Sequence, residues 1–360
     1  MPVCSPERRT RLVALNSNIY LSEESVMKRE AMLYTKLKDE AVRCDLCAHH
    51  CKIEEGDYGF CSVRQNLSGT LYTLVFGEAI ARNVDHIEKK PLYHFLPGSL
   101  AFSIGTVGCN LRCGFCQNWQ ISQAGKKAGK LGSRLLPEDV ITAAKNNNCA
   151  SIAYTYTEPT IFFEYAFETA RLARTEGIKN IFVTNGFMTS QALDTIAPYL
   201  DAANVDLKAW DNEYYRKHCQ ARLKPVLASI RYLKELSIWQ ELTTLIIPGE
   251  NDSEEQLKAI AGFIAGVDAD IPWHISAFHP THEFMDRKST PLQTLHRAEE
   301  IGREQGLNYI YLGNVPAENS THCPVCGDKT VTRSAMGVPD IRLADNTCPS
   351  CGARIAGIWA

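Results

Sequence analysis

The sequence predicts an α/β protein whose parallel sheet curls into a partial (β/α)6-type, TIM-like barrel, with an N-terminal Cys-rich module and a zinc-ribbon-like C-terminal tail. Three observations carry this prediction. Strand-like and helix-like segments alternate for about 210 residues from residue 100 onward, the pattern of repeated βα units and hence of a parallel sheet. Polar residues with Gly or Pro recur where those strands end, the edge at which such sheets keep their working groups. Eleven of the 14 cysteines fall into three tight groups.

Residues 22–42, SEESVMKREAMLYTKLKDEAV, read as a polar amphipathic helix leading into the first cysteine group. The module so begun covers residues 1–65, and a bridging segment at 66–98 ends in IEKKPLYHFLPGS. The barrel covers 99–315, with strands at Ala101–Val107, Ser151–Thr157, Asn180–Thr184, Ala203–Leu207, Glu241–Ile247, Ile271–Phe278 and Tyr309–Leu312. Helices between them open on Pro137-Glu138-Asp139, Pro159-Thr160, Thr189-Ser190 and Asp252-Ser253-Glu254-Glu255, all recognisable start signals. A tail occupies 316–360.

The cysteine groups differ in number as well as spacing. Cys44, Cys47, Cys51 and Cys61 form a C-x2-C-x3-C-x9-C run, and Cys323, Cys326, Cys348 and Cys351 form two C-P-x-C-G knuckles. Four thiolates close a tetrahedral zinc site or saturate an iron–sulfur cluster. The tail has the grammar of a zinc ribbon, serving as a folding staple. The first group is compatible with zinc, the slightly better reading, or with an auxiliary cluster, and His49 or His50 is a substitute ligand. Cys109, Cys113 and Cys116 supply only three thiolates in C-x3-C-x2-C. Three ligands leave one iron of a four-iron cluster open, so this group is the reactive one. Cys4, Cys149 and Cys219 read as buried or incidental thiols.

Composition excludes several classes. Hydrophobic residues make up 45% and charged residues 22%, enough apolar material for a large core, which rules out a disordered chain. The net charge of −3 gives no general attraction for nucleic acid. No apolar run reaches the ~18–20 residues of a membrane span, and the first residues lack a secretory apolar segment, so a cytoplasmic protein is expected. In a reducing compartment, so many cysteines argue for metal rather than disulfides.

The segments IEKKPLYHFLPGS, GCNLRCGFCQNWQIS and YTYTEPT together resemble the radical S-adenosylmethionine (SAM) superfamily. Within it they resemble the AmmeMemoRadiSam system radical SAM enzyme family, related to the pyruvate formate-lyase activating enzymes. The resemblance covers roughly residues 40 to 315. It implies a 4Fe-4S cluster on Cys109, Cys113 and Cys116, whose open iron chelates SAM. Reductive cleavage would then give a 5′-deoxyadenosyl radical that abstracts hydrogen from substrate. It implies Phe115 near the adenine, Glu158 accepting from the SAM amino group, and Lys208 on the SAM carboxylate beside an organising Asp206. Thr184 and Asn185 form a matching T-N-G segment with Gly186. Two departures stand out: Tyr156-Thr157 replaces a Gly-Gly pair, and Val183 replaces an Asp linked to a monovalent cation. His274 or His279 would face ribose or substrate, while Asn251-Asp252 reads as a turn and helix cap. Implied partners are a flavodoxin or ferredoxin donor, Memo-type and AMMECR-type proteins, or a glycyl radical enzyme. The rival expectation is a non-enzymatic, metal-bound scaffold for protein or RNA.

Overall fold

The computed structural model describes residues 28–125, 131–334 and 337–359. Cys4 and the first residues of the expected N-terminal helix lie outside them. Its centre is an eight-stranded sheet in strictly sequential order. We number its strands β1 (Ala81–His86), β2 (Leu100–Gly105), β3 (Ser151–Tyr154), β4 (Lys179–Thr184), β5 (Ala202–Asp206), β6 (Trp239–Ile246), β7 (Trp273–Ala277) and β8 (Ile310–Gly313). Strands β2 to β8 are mutually parallel, and β1 is an antiparallel edge on β2 that sequence reading left inside the bridging segment. Sequential order with crossovers of one hand puts every helix on the same face, which bends the sheet into an open barrel.

The six crossovers carry α1 (Pro137–Asn146), α2 (Phe163–Thr175), α3 (Ser190–Ile196), α4 (Asn212–Cys219) with α5 (Leu223–Glu235), α6 (Glu254–Val267) and α7 (Leu292–Glu304). Start signals act as expected: Thr189 caps α3 through the Ala192 N–H, and Ser253 caps α6 through the Gln256 N–H. Alternation along the strands divides the two faces. Phe102, Ile104, Ile152, Tyr154, Phe182 and Val205 are buried in the large core that also takes the helices.

The concave face carries small side chains low in the barrel, and a plug fills the space. Ile87, Leu92 and Phe95 pack on Ala101, Ala153, Ile181 and Ala202. Each large plug side chain contributes roughly 1.5–3 kcal/mol through burial. The plug's polar backbone is tied in turn, since Asn204 donates to the Pro91 carbonyl at 2.7 Å, and Glu241 accepts from the Tyr93 and His94 N–H groups at 2.9 and 2.7 Å. IEKKPLYHFLPGS is therefore the barrel's floor.

The expected helix over 22–42 is absent from its described part. Arg29–Glu30, Tyr34–Lys36 and Val42–Cys44 are short strands instead. Tyr34–Lys36, Val42–Cys44 and Lys52–Ile53 form one small antiparallel sheet; Arg29–Glu30 joins the hairpin of Arg64–Leu67 and Thr70–Thr73 in another. Pairing with that hairpin satisfies the backbone, and Leu33, at φ +55, breaks helical continuity. The tail's three strands, Thr321–His322, Lys329–Ser334 and Gly337–Ile341, are also antiparallel.

Candidate active site

Cys109, Cys113, Cys116, Phe115, Thr184, Asn185, Asp206 and Lys208 line one cavity of about 380 Å³ at the carboxyl ends of the strands. The three-cysteine loop follows β2, and the end of α4 holds it there. Gln220, at φ +53, stops that helix, and its free terminal carbonyls are taken by the loop: Arg112 N–H donates to Cys219 O at 2.9 Å, Gly114 N–H to His218 O at 3.0 Å. Sequence reading gave Cys219 as a buried or incidental thiol, with no place at the cysteine loop. It is buried, and close enough to Cys113 to push that thiol up.

Burial pushes the Cys109 and Cys116 thiols up; Cys113 is raised first by neighbouring Cys219, then by burial. Buried thiols ionise when a cation compensates them, so the donor set fits a metal cluster. Donors already surround the sulfurs: Leu111 N–H stands 3.4 Å from Cys109 Sγ, Asn185 Nδ2 3.8 Å from the same atom, and Ser122 Oγ 3.3 Å from Cys116 Sγ. Hydrogen bonds to cluster sulfurs tune a cluster's potential.

Opposite the loop, Lys208 reaches Asp206 at 2.8 Å and stands 5.9 Å from the Phe115 ring centre. Burial opposes the Lys208 charge, yet Asp206 and the nearby sulfurs raise its ammonium well above the ordinary lysine range. Phe115 is buried against Tyr214 and Phe284, which fixes its ring as a wall. The cavity thus carries three cysteine sulfurs, a fixed cation and an aromatic face.

Glu158 and His274 are placed differently from expectation. Glu158 is fully buried behind the cavity wall, and four donors engage its carboxylate. Oε1 accepts from Thr160 N–H, Thr160 Oγ1 and Thr184 Oγ1; Oε2 accepts from Asn185 N–H at 2.8 Å. It holds the T-N-G turn rather than facing the cavity. His274 is buried on β7, its Nε2 2.7 Å from Glu241, beneath the cavity among Tyr93 and Tyr311. Burial opposes the Glu241 charge, but His274 and the two floor N–H groups offset this and hold its carboxyl below the usual range. His279 is exposed.

Three further residues carry geometry that the sequence did not announce. Asn251 is buried; its Oδ1 accepts from Ile247 N–H, while its Nδ2 donates to the Lys208 and Leu245 carbonyls at 2.7 and 2.8 Å. It clamps the backbone of Lys208, and the helix cap is Ser253 instead. Asn110 accepts from Asn185 Nδ2 at 2.8 Å and donates to Phe187 O, locking the cluster loop to the T-N-G turn. Tyr156 sits at φ +67, a region that favours glycine. A side chain therefore replaces the expected Gly while the backbone keeps a glycine-like path. Its hydroxyl donates to Asp85 at 3.1 Å, and its carbonyl accepts from Asn118. The hints in the sequence were the position of YTYTEP at a strand end and the Tyr156-Thr157 pair standing where the resemblance implies Gly-Gly.

Elsewhere, the four tail sulfurs lie within 4.8 Å of one another, with Cys323–Cys351 and Cys326–Cys348 both at 3.6 Å. Burial opposes ionisation of Cys323, but N–H groups of Cys326 and Val325 hold its thiol down to about 7. Gly327 and Gly352, at φ +77 and +74, make the turns that aim such groups. This is a ready site for a metal ion.

Residues 103–261 match the model of the radical SAM superfamily. The chain is similar to the uncharacterized protein MJ0808 of Methanocaldococcus jannaschii, with 40% identity over 333 residues, 91% of this chain and 98% of that protein. It is also similar, at 22% identity, to the pyruvate formate-lyase-activating enzyme of Staphylococcus epidermidis, over 51% of this chain and 76% of the relative. Among solved structures, Streptococcus suis SuiB bound to precursor peptide SuiA aligns at a TM-score of 0.49 and 18% identity, covering 64% of this chain and 52% of that one. The matched span holds the cysteine loop and strands β3 to β6, whose ends line the cavity, so residues 103–261 of this chain belong to the radical SAM superfamily.

Proposed function

We propose that this protein cleaves SAM reductively at a 4Fe-4S cluster held by Cys109, Cys113 and Cys116, and uses the fragment to take hydrogen from a substrate. One observation carries the reading: three thiols, Cys109 buried and Cys113 and Cys116 half-buried, share a strand-end cavity with the half-buried ammonium of Lys208. When bound, the cluster and SAM supply the electron transfer and the 5′-deoxyadenosyl radical. The chain supplies position. Lys208 pairs with the SAM carboxylate, oriented by Asp206 and by the Asn251 clamp on its backbone. Phe115 walls one side of the nucleoside, and Thr184 and Asn185 offer polar contacts from a turn that Glu158 makes rigid.

The likeness to an activating enzyme supports a protein target, a glycyl radical enzyme, over a small molecule. A flavodoxin or ferredoxin is the electron donor this reading requires. The tail sulfurs, at the spacing of a single tetrahedral ion, hold zinc as a structural staple. The test is electron paramagnetic resonance of the reconstituted, dithionite-reduced protein with and without SAM, alongside release of 5′-deoxyadenosine. A reduced-cluster signal that changes with SAM and disappears in Cys113→Ala is expected. A signal indifferent to SAM, with no nucleoside released, would return the protein to the scaffold reading.

A further inference from the structure

The N-terminal thiols are not used by this site. Cys44 and Cys61 are buried, Cys47 and Cys51 half-buried, and the four lie within electrostatic reach of one another. Phe60 N–H stands 3.5 Å from Cys51 Sγ. His49 and His50 are turned to other partners, the Asn110 carbonyl at 2.7 Å and Asp45 at 3.1 Å, so the donor set is sulfur alone.

Spacing separates the two metals that this set accepts. A single zinc with Zn–S near 2.3 Å places its four sulfurs ~3.8 Å apart. The tail quartet has that spacing. Among the described residues it is also the only group of three or more ligating side chains drawn within 4.8 Å. No three of the N-terminal sulfurs meet that limit, and neither do Cys109, Cys113 and Cys116. A cluster distributes its thiolates over several irons and so holds them farther apart than one ion does.

We propose that Cys44, Cys47, Cys51 and Cys61 ligate a second iron–sulfur cluster, coordinatively closed, rather than zinc. It rests on the reading above only for the assignments used in comparison, zinc in the tail and iron at the cysteine loop. The site is built against that loop. The Cys61 carbonyl and Val63 lie 2.9 and 2.7 Å from where a Cβ on Gly108 would sit, next to Cys109. Ala48 N–H and Asn110 Nδ2 share the Phe187 carbonyl, so one hydrogen-bonded wall joins the two sites.

The experiment counts iron, sulfide and zinc in the anaerobically reconstituted full chain and in Cys109→Ala/Cys113→Ala/Cys116→Ala. Expected are about one zinc per chain in both proteins, and about two to four irons with matching sulfide retained in the variant. The exact iron count tells a two-iron from a four-iron form. The variant's reduced signal should not respond to SAM. An iron-free variant carrying a second zinc overturns the proposal. If the variant does not fold, Mössbauer spectra of the wild type decide: a cluster population unaltered by SAM supports the second cluster, and a single population that responds as a whole overturns it. Iron retained in the variant beside a wild type wholly blind to SAM would sink the catalytic reading and leave this one standing.

Discussion

Glu158 engages four donors and presents no free face to the cavity, so its effect on the site runs through Thr184 and Asn185. Glu158→Gln replaces an acceptor with an amide donor that must oppose either the Asn185 N–H or the Thr hydroxyls. We expect about 1–3 kcal/mol lost stability and weaker SAM binding, read by urea titration and by calorimetry on the reconstituted protein. Gly108 is as constrained. It adopts φ +93 and its missing Cβ leaves room for Val63 and the Cys61 carbonyl. Gly108→Ala should cost more than about 1 kcal/mol and lower the iron content, because the module and the cluster loop cannot both keep their positions. Unchanged iron in that variant would show that the contact yields.

At the scale of elements, the module is held to α2 by a buried ion pair. Arg64 meets Glu164 through two bonds, at 2.8 and 3.2 Å, and both side chains also bind the Met32 backbone. Two buried charges gain little over apolar packing, but an orphaned one is expensive. Arg64→Met alone should therefore destabilise by about 3–5 kcal/mol, and Glu164→Gln in the same background should recover part of that loss. A double-mutant cycle on denaturant midpoints measures the coupling. Additive effects would mean that the pair does not hold the module. The same logic explains why the expected helix over 22–42 is not formed there. Met32 N–H donates to Glu164 at 2.6 Å, a bond to a distant helix that local helical periodicity could not reveal.

For the whole molecule, the tail is joined to the barrel floor. His94, on the plug, is buried between the Ala356 carbonyl and the Tyr311 hydroxyl, and Leu96 N–H donates to Ile358 O at 2.7 Å. Arg333 adds a bond to the Tyr93 carbonyl. Burial holds His94 down to about 4, against an ordinary 6.5. The unfolded chain therefore binds the extra proton between those values. Stability is complete above pH 6.5 and falls as the pH drops toward 4, by at most about 3 kcal/mol. Urea midpoints at pH 7.5 and 5 should differ more in the wild type than in His94→Gln. Equal slopes would remove His94 as the cause.

Local chemistry was enough for the parallel strands, the helix starts at Thr189 and Ser253 and the three cysteine groups, because alternation, capping and ligand spacing are short-range properties. Four residues gathered around the cysteine loop were legible for the same reason: Thr184, Asn185, Asp206 and Lys208 each lie in or beside a strand-end motif, and the fold brings such ends together, while Phe115 was named through the family resemblance. What lay beyond reach depends on partners far away in sequence. The floor segment needs the concave side chains of four strands, three of them alanines; Cys219 needs the end of α4 against the cluster loop; Asn251 needs the Lys208 carbonyl, 43 residues away. The choice between one ion and a cluster is of the same kind. C-x2-C spacing sets which thiols can meet, but the separation of the sulfurs, tight in the tail and open in the module, is set by the backbone packed around them.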